Sequence, residues 1–461
     1  MGEIKNPTII ISNLGPINRA KIELKPLSIF IGGHNTGKSY AAQMVYCMAR
    51  ALRSNYRRIK DIEEPKKSED KVVRKELKDL QSLIRRGGGI KFSGIGKTLQ
   101  NKGENWWVSW EKLCKDEIIS SLNQYFMTED IGDLVRFNGE SVKGGITFSA
   151  VGKNDVRVRL RIGKTPGKVN VSIDAPSIKA LGISIPRMVP NFDYFDFQVV
   201  LMEAWRKVWK GIADYDFYYL PAARSGILQL WDMMQLYTLE SLPEEMGIPG
   251  LVKNFLLEVA RSGMYWTYRE KRKVMPALEI LEGEILRGEI AFRRERPGLS
   301  RIDYKFGGRA SISIQRASSM VAELAPLDLW IKRLLNEGDL LIIEEPEAHL
   351  HPSSQIQIAR LIARLVNSGI RIICTTHSQL LVNKISNLML ASKAQESVRE
   401  DIGLKEVDII KEEDLAVYQF IATDNGSRVK KLRMISKFGI PEDEFLSEYE
   451  KISLESYKVS S

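Results

Sequence analysis

An α/β fold organised around a parallel sheet is what this sequence predicts, and three observations carry it. A glycine-rich loop near the N-terminus sits between an apolar, strand-like run and a helix, over residues 27–52. Across the last third, short apolar runs alternate with longer amphipathic segments, which is the rhythm of strand–helix units. One of those runs, residues 340–343, ends on two adjacent carboxylates, Glu344 and Glu345. With 461 residues and 44% hydrophobic content, the chain can build one large domain or two to three smaller ones.

Taken in order, residues 8–12 are β-branched and read as a strand, followed by a turn at Asn13-Leu14-Gly15-Pro16. Residues 20–24 alternate, and 27–31 form an apolar run broken only by Ser28. After the glycine loop a helix is expected over 39–52. A charged helix over 59–86 stops at Gly87-Gly88-Gly89, and another, carrying Trp106, Trp107 and Trp110, runs to about Phe126. Between 144 and 174 the pattern becomes three alternating stretches (146–148, 156–162, 169–173) with Gly, Lys and Asn between them, an antiparallel sheet. Residues 192–284 read mostly as helix, interrupted by Tyr218-Tyr219-Leu220-Pro221, and short strands return at 290–292, 302–306 and 311–314. The last third predicts helix 319–335, strand 340–343, helix 352–366, strand 370–374 and helix 379–385. No internal repeat and no sustained heptads are found. These patterns divide the chain into an N-terminal lobe (1–190), a mostly helical insertion (191–300) and a C-terminal lobe (301–461).

Composition narrows the setting. No apolar run approaches the roughly 20 residues a membrane-spanning helix needs. The N-terminus has no apolar signal core, and Asn6 breaks the myristoylation pattern. Cys47, Cys114 and Cys374 have neither metal-ligand spacing nor the makings of a disulfide framework. A cytoplasmic protein without a membrane partner is expected. The formal net charge is +10, and it is concentrated. The stretch bounded by Arg50 and Lys102 holds 16 Lys/Arg against 7 Asp/Glu, nearly the whole excess. Two readings stay open for it: a DNA contact made through counterion release, and a solvated, charge-rich helix.

The glycine loop, Gly32-Gly33-His34-Asn35-Thr36-Gly37-Lys38-Ser39, fits G-x-x-x-x-G-K-[ST] in full. Such glycines let backbone N–H groups converge on phosphate oxygens, and the following helix turns its N-terminus to the same anion. Gly33 through Tyr40 are therefore the nucleotide-binding candidates, with Lys38 expected on the β/γ-phosphates of ATP and the Ser39 hydroxyl on Mg²⁺. An apolar strand in a parallel sheet delivers its terminal carboxylates to the C-terminal edge, where ligands bind. Glu344 is then expected to hold Mg²⁺ through water, and Glu345 to orient or deprotonate the attacking water. All four histidines, His34, His349, His351 and His377, fall in or beside these motifs. His377 ends the strand after the acidic one, within reach of a γ-phosphate. His349 and His351 do not share one helix face and gain no cysteine, which argues against zinc.

These residues carry a resemblance. The stretches NLGPINRAKIELKPLSIFIGGHNTGKS, YYLPAARSGIL, ASSMVAELAPL, LIIEEPEAHLHP and TTHS follow the order of an ABC-type ATPase head of the branch that holds the overcoming-lysogenization-defect (OLD), RecF and SMC proteins. More closely, the chain resembles stand-alone prokaryotic AAA family ATPases of the OLD-like kind, over roughly the first 50 and last 150 residues. The resemblance implies an ABC-ATPase-like P-loop head with an antiparallel β subdomain and a helical insertion between Walker A and Walker B. It further implies a homodimer or higher oligomer that sandwiches ATP, Ser318 and Ser319 as a signature loop reaching the partner's γ-phosphate, Glu345 as catalytic glutamate and His377 as switch histidine. Three positions depart from the pattern: Glu344 stands where most relatives have Asp, His34 replaces an asparagine, and Met320 replaces the glycine after the serine pair.

Arg224 leaves two readings open, a cationic contact to phosphate or a neighbouring subunit and an ordinary salt bridge. The Tyr265, Trp266, Tyr268, Arg269, Lys271, Arg272 and Lys273 cluster likewise fits a strand-binding surface or core packing beside a solvated basic turn. Three function classes follow. The first is an ATP-driven switch acting on DNA or on a partner nuclease or toxin, in antiviral defence or DNA repair. The second is a nucleotide-sensing regulator that binds without turnover. The third is a transporter subunit, against which the long insertion between loop and acidic strand argues. The tail after Ser378 holds no D-x-D, so no Toprim nuclease is expected in it.

Overall fold

The computed structural model describes residues 6–58, 110–135, 143–150, 156–163, 169–174, 215–231, 248–264, 273–296, 299–308, 310–434, 439–441, 454–455 and 458–459. In chain order the strands are β1 (Thr8–Leu14), β2 (Ile17–Glu23), β3 (Leu27–Gly32), β4 (Lys143–Ala150), β5 (Val156–Gly163), β6 (Val169–Asp174) and β7 (Phe217–Leu220). They continue with β8 (Gly288–Arg296), β9 (Leu299–Phe306), β10 (Ala310–Ser313), β11 (Leu340–Glu344), β12 (Arg371–Thr375), β13 (Leu415–Ile421) and β14 (Ser427–Lys431). The helices used below are α1 (Lys38–Arg58), α2 (Trp110–Phe126), α3 (Arg224–Gln229), α4 (Gly250–Met264), α5 (Ser319–Arg333), α6 (Pro352–Asn367) and α7 (Gln379–Leu390). Two compact units form, one from Met1–Glu23 and Gln43–Tyr215, the other from Leu24–Ala42 and Asp216–Ser461.

The first unit carries an antiparallel sheet in the order β6-β5-β4-β1-β2. Its hairpin between β1 and β2 is tight, with Leu14 opposite Ile17 and both Asn13 and Gly15 at positive φ, where Asn and Gly are tolerated best. Alternation decides the two faces. Ile9, Ile11, Ala20, Ile22, Ile146, Phe148, Val158, Leu160 and Ile162 are all buried, while the residues between them along each strand, mostly polar or charged with Ile10 the apolar exception, are at least partly exposed. In α2, Ile118, Leu122 and Tyr125 are buried, and Tyr125 meets Tyr46 of α1 edge-on at 5.6 Å. The antiparallel sheet expected over 144–174 is therefore present, extended by β1 and β2.

The second unit carries the parallel core. Strands β13, β3, β12, β11 and β7 lie side by side in that order, all parallel, with β14 antiparallel beyond β13. Every residue of β3, β7 and β11 is buried, which is why these strands read as continuous apolar runs rather than alternating ones. A separate antiparallel sheet orders β10-β9-β8. Ile314, expected in a strand, opens a 3₁₀ turn instead. Helix α5 is buried from Val321 to Ile331, so its charged side chains need internal partners. Glu323 takes Arg224, and Asp328 takes Lys332 Nζ at 2.7 Å, which also reaches Glu282 at 2.5 Å. Burial nevertheless pushes the Asp328 carboxyl up to about 8.

No element is predicted after residue 385, yet β13 and β14 lie there, and β13 is the neighbour of the loop-bearing strand β3. Its run Leu-Ala-Val-Tyr-Gln-Phe-Ile, between charged and Gly-containing segments, satisfies the rules for a buried strand. Among the described residues no helix is long and apolar enough to cross a membrane. Most of the basic stretch between Arg50 and Lys102 lies outside the described residues, as do Trp106, Trp107, Tyr265, Trp266, Tyr268, Arg269, Lys271 and Arg272. Lys273 is described and forms a surface ion pair with Glu337.

Candidate nucleotide-binding site

Parallel strands all point their C-terminal ends to one edge, so the loops after β3, β12, β11 and β7 converge there. The register aligns them: Phe30 is opposite Thr375, and Thr375 is opposite Glu344. The loop after β3 starts at Gly32, whose φ is 139°. A Cβ at that position would come within 2.3 Å of the Phe420 carbonyl oxygen on β13. Only glycine fits, and the late strand is the reason. Asn35 and Gly37 also take positive φ, and Thr36 Oγ1 donates to the Gly33 carbonyl at 2.9 Å. Gly33, His34, Asn35 and Ser39 are exposed, so the loop backbone and the first hydroxyl of α1 face solvent. Lys38 is buried, and its Nζ donates to the carbonyls of Gly32 and Gly33, each at 2.7 Å. Its ammonium thus lies across the loop. Tyr40 is half-buried, and desolvation raises its phenol well above the ordinary value.

At the end of β11, Glu344 is buried. Its Oε2 accepts the Ala222 N–H at 3.2 Å, while Oε1 is buried without a hydrogen-bond partner. Glu345 leaves the strand at φ 44°, with its N–H donated to the Thr375 carbonyl at 2.9 Å. A non-glycine residue in that region costs on the order of 1 kcal/mol and persists where its surroundings dictate it. The next acid, Glu347, assigned no role from sequence, has the densest contacts. Its Oε1 accepts from Thr376 Oγ1 at 2.7 Å, from the His377 N–H at 2.8 Å and from the Ser378 N–H at 3.1 Å. Burial raises the Glu347 carboxyl above its usual range, outweighing the lowering by these donors. Nothing in the run Glu344, Glu345, Glu347 distinguishes that residue. Only its tertiary contacts do.

His377 stacks on His34, ring centroids 4.5 Å apart and planes 20° from parallel. Partial burial, then the nearby Lys38 charge and His34, lower the proton affinity of the ring below that of an ordinary imidazole, which favours its neutral form. The stack brings the strand-end histidine directly over the glycine loop, and His34 is what it rests on. Ser378 caps α7, accepting the Leu381 N–H at 3.1 Å, and its hydroxyl meets Gln355 Oε1 at 2.6 Å.

Arg224 makes a buried salt bridge in the chain. It is 1% exposed, pairs with Glu323 at 2.9 Å, and donates to the carbonyls of Glu344 at 2.8 Å and Glu345 at 3.3 Å. The guanidinium braces the backbone of the acidic strand end from behind, with no face turned to solvent. Glu323 also accepts from Ser225 Oγ at 2.5 Å, tying α3 to α5. Ser318 caps α5, accepting from the Val321 N–H at 3.4 Å, and Ser319 opens the helix; both are exposed. His351 caps α6, and among the described residues no group of three His, Cys, Asp or Glu could hold a metal. Mg²⁺ does not require one, since it commonly keeps waters and uses one or two protein oxygens plus substrate phosphates. The unpartnered Glu344 Oε1 and the exposed Ser39 hydroxyl suit that mode of binding.

Strand order, glycine loop and acidic strand end together define a P-loop nucleotide-binding fold of the α/β class. Residues 163–383 match the family model described as "AAA domain, putative AbiEii toxin, Type IV TA system". That span is a little under half of the chain and contains Glu344, Glu345 and His377 but begins beyond Lys38. No curated protein matches the chain. Among solved structures it is similar to an Smc head bound to the C-winged helix domain of ScpA, at 11% identity and a TM-score of 0.45, covering 93% of this chain and 98% of that one. It is also similar to an Smc head with an extended coiled coil bound to the C-terminal domain of ScpA derived from Pyrococcus furiosus (11% identity, TM-score 0.42, 97% and 100% covered). An SMC head domain from Thermotoga maritima aligns at 8% identity and a TM-score of 0.39, covering 93% and 100%.

Proposed function

We propose that this chain is a Mg²⁺-dependent ATPase of the ABC-like kind, OLD-like in its motifs, in which hydrolysis drives a homodimer switch acting on DNA or on a partner effector. The observation that carries the reading is the convergence of Lys38, Glu344–Glu345 and His377 on the ends of three adjacent parallel strands, with His377 stacked over the loop. Loop N–H groups and the start of α1 bind the phosphates. The Lys38 ammonium exchanges its two loop carbonyls for β/γ-oxygens. Ser39 and Glu344 would hold Mg²⁺, which would supply neutralisation of the phosphate charge. Glu345 takes the proton of the attacking water, and neutral His377 contacts the γ-phosphate. Glu347 is a positioning residue, since it grips the backbone that carries His377. Ser318 and Ser319 reach the partner's nucleotide in the dimer. Arg224 acts through the acidic strand end and touches neither phosphate nor neighbour. The family match, whose description names a putative AbiEii toxin of a type IV TA system, supports a toxin-related partner; a nuclease effector, a defence setting and a cytoplasmic location are part of the same proposal.

Glu345→Gln tests the chemistry. Phosphate release falls by about 10²–10³, the scale of removing one well-placed group, while ATP binding persists and the dimer accumulates by light scattering. Wild-type turnover in that variant sinks the assignment of the base. A wild-type chain that binds ATP and releases no phosphate supports a second reading, a nucleotide-sensing regulator, to which the Glu344 and Met320 departures point.

A further inference from the structure

We infer that the open face of the antiparallel sheet in the first unit is a binding surface for the phosphate backbone of double-stranded DNA. Arg157, Arg159 and Arg161 alternate along β5 with the buried Val158, Leu160 and Ile162, so all three lie on the solvent side. Alternate residues on a strand are roughly 7 Å apart, which makes the row an evenly spaced ladder of cations. Three strands away, Arg19 and Lys21 are exposed on the same face of β2. Strand spacing sets the two rows roughly 14 Å apart, against a major groove about 12 Å wide. They match the two backbones that flank such a groove.

The register explains why this is not an ordinary solvated face, where opposite charges sit across from each other. Arg159 lies opposite Thr147 and Ser172, and Arg161 opposite Gly145 and Asn170. Acidic residues occur only at the far end of the face, where Asp174 is opposite Arg157 and Glu23 opposite Thr8. Among the described residues no ion pair engages Arg19, Lys21, Arg159 or Arg161. Between the two basic rows the paired outward positions of β1 and β4 are Thr, Ser and Gly around a single larger residue, Ile10, so a broad rigid ligand can approach closely. Hydroxyls there add donors for phosphate oxygens. No aromatic side chain occupies an outward position of β1, β2, β4 or β5, which removes the stacking platform that single strands require. A stiff, regularly charged duplex is the partner this face fits, read by its backbone rather than its sequence.

The inference deepens the proposed function by naming what the switch acts on, and rests on that reading for its biological sense alone. The test is fluorescence anisotropy of the full chain with a labelled 30-base-pair duplex of arbitrary sequence, without nucleotide, across a salt series. Arg159→Glu/Arg161→Glu weakens binding at least tenfold and flattens the slope of log K against log salt by roughly two, the counterion yield of two lost phosphate contacts. The milder Arg159→Ala/Arg161→Ala pair shows the same direction, with unchanged ATP affinity and melting temperature reporting intact folding. Equal affinity and slope in both double variants overturn the inference, as does a wild-type chain that binds no duplex at low salt. Competition by polyglutamate as effective as by duplex also overturns it, because the face would then be an unselective anion surface. Duplex binding by a chain that releases no phosphate leaves this inference standing while sinking the ATPase reading, and the converse result does the reverse.

Discussion

The two large sheets use one polypeptide geometry to opposite ends. In the parallel core, β3, β7 and β11 are buried on both faces, so no side chain along these strands reaches a ligand. Chemistry is confined to the strand ends. In the antiparallel sheet only one face is covered, and alternate residues of β1, β2, β4 and β5 reach solvent. Burial on both sides spends every residue on packing, and burial on one side leaves half of them free. A reader of sequence should therefore look for function after the apolar runs of the first sheet and within the alternation of the second.

Substitutions at the strand ends and along the strands sharpen that contrast. The largest effect is expected from Lys38→Ala, at the end of β3. Loss of the phosphate-facing cation removes nucleotide binding and lowers phosphate release by 10³ or more, roughly 4 kcal/mol in the transition state. Tight ATP retention, measured by fluorescent-nucleotide titration, would break the comparison, because the strand end would then be as inert as the strand.

Along the strands the prediction is about stability. Ile342→Ala, at a fully buried position of β11, costs about 2–5 kcal/mol. Thr147→Ala, on the open face of β4, stays within about 0.5 kcal/mol. Urea titrations of both variants check this, and similar midpoints would erase the distinction between the sheets.

A smaller loss than that at Ile342 concerns Glu347, which joins two strand-end loops. Glu347→Ala leaves the Thr376 hydroxyl and the His377 N–H without their acceptor, a loss of about 1–3 kcal/mol, and displaces His377 so that turnover falls more than ATP affinity. Glu347→Gln keeps an accepting oxygen and restores the loop. Because burial raises the native carboxyl, the folded state binds its proton more readily than the unfolded state. Stability from this group is thus present at acid pH and lost as pH rises through the raised value. Relative to wild type, Glu347→Gln should gain stability between pH 4 and pH 7. A gap between the two that does not change with pH would show that the carboxyl binds its proton equally in the folded and unfolded states, with no raising by burial.

By itself the sequence determined the fold class, the glycine loop and the acidic strand end, because these are local. Apolar periodicity and fixed spacing follow from neighbours along the chain. Only the tertiary structure decided that Gly32 is pressed by Phe420 from a strand nearly four hundred residues later. It also decided that Arg224 is spent on the carbonyls of Glu344 and Glu345, and that Glu347 rather than either neighbour holds the His377 loop. Arg159 and Arg161 of β5 are visible as letters, yet that they lie opposite uncharged residues depends on register with β4 and β6. Contacts between residues far apart in sequence are set by which strands pair and in what alignment, and that information does not reside in any single window of the chain.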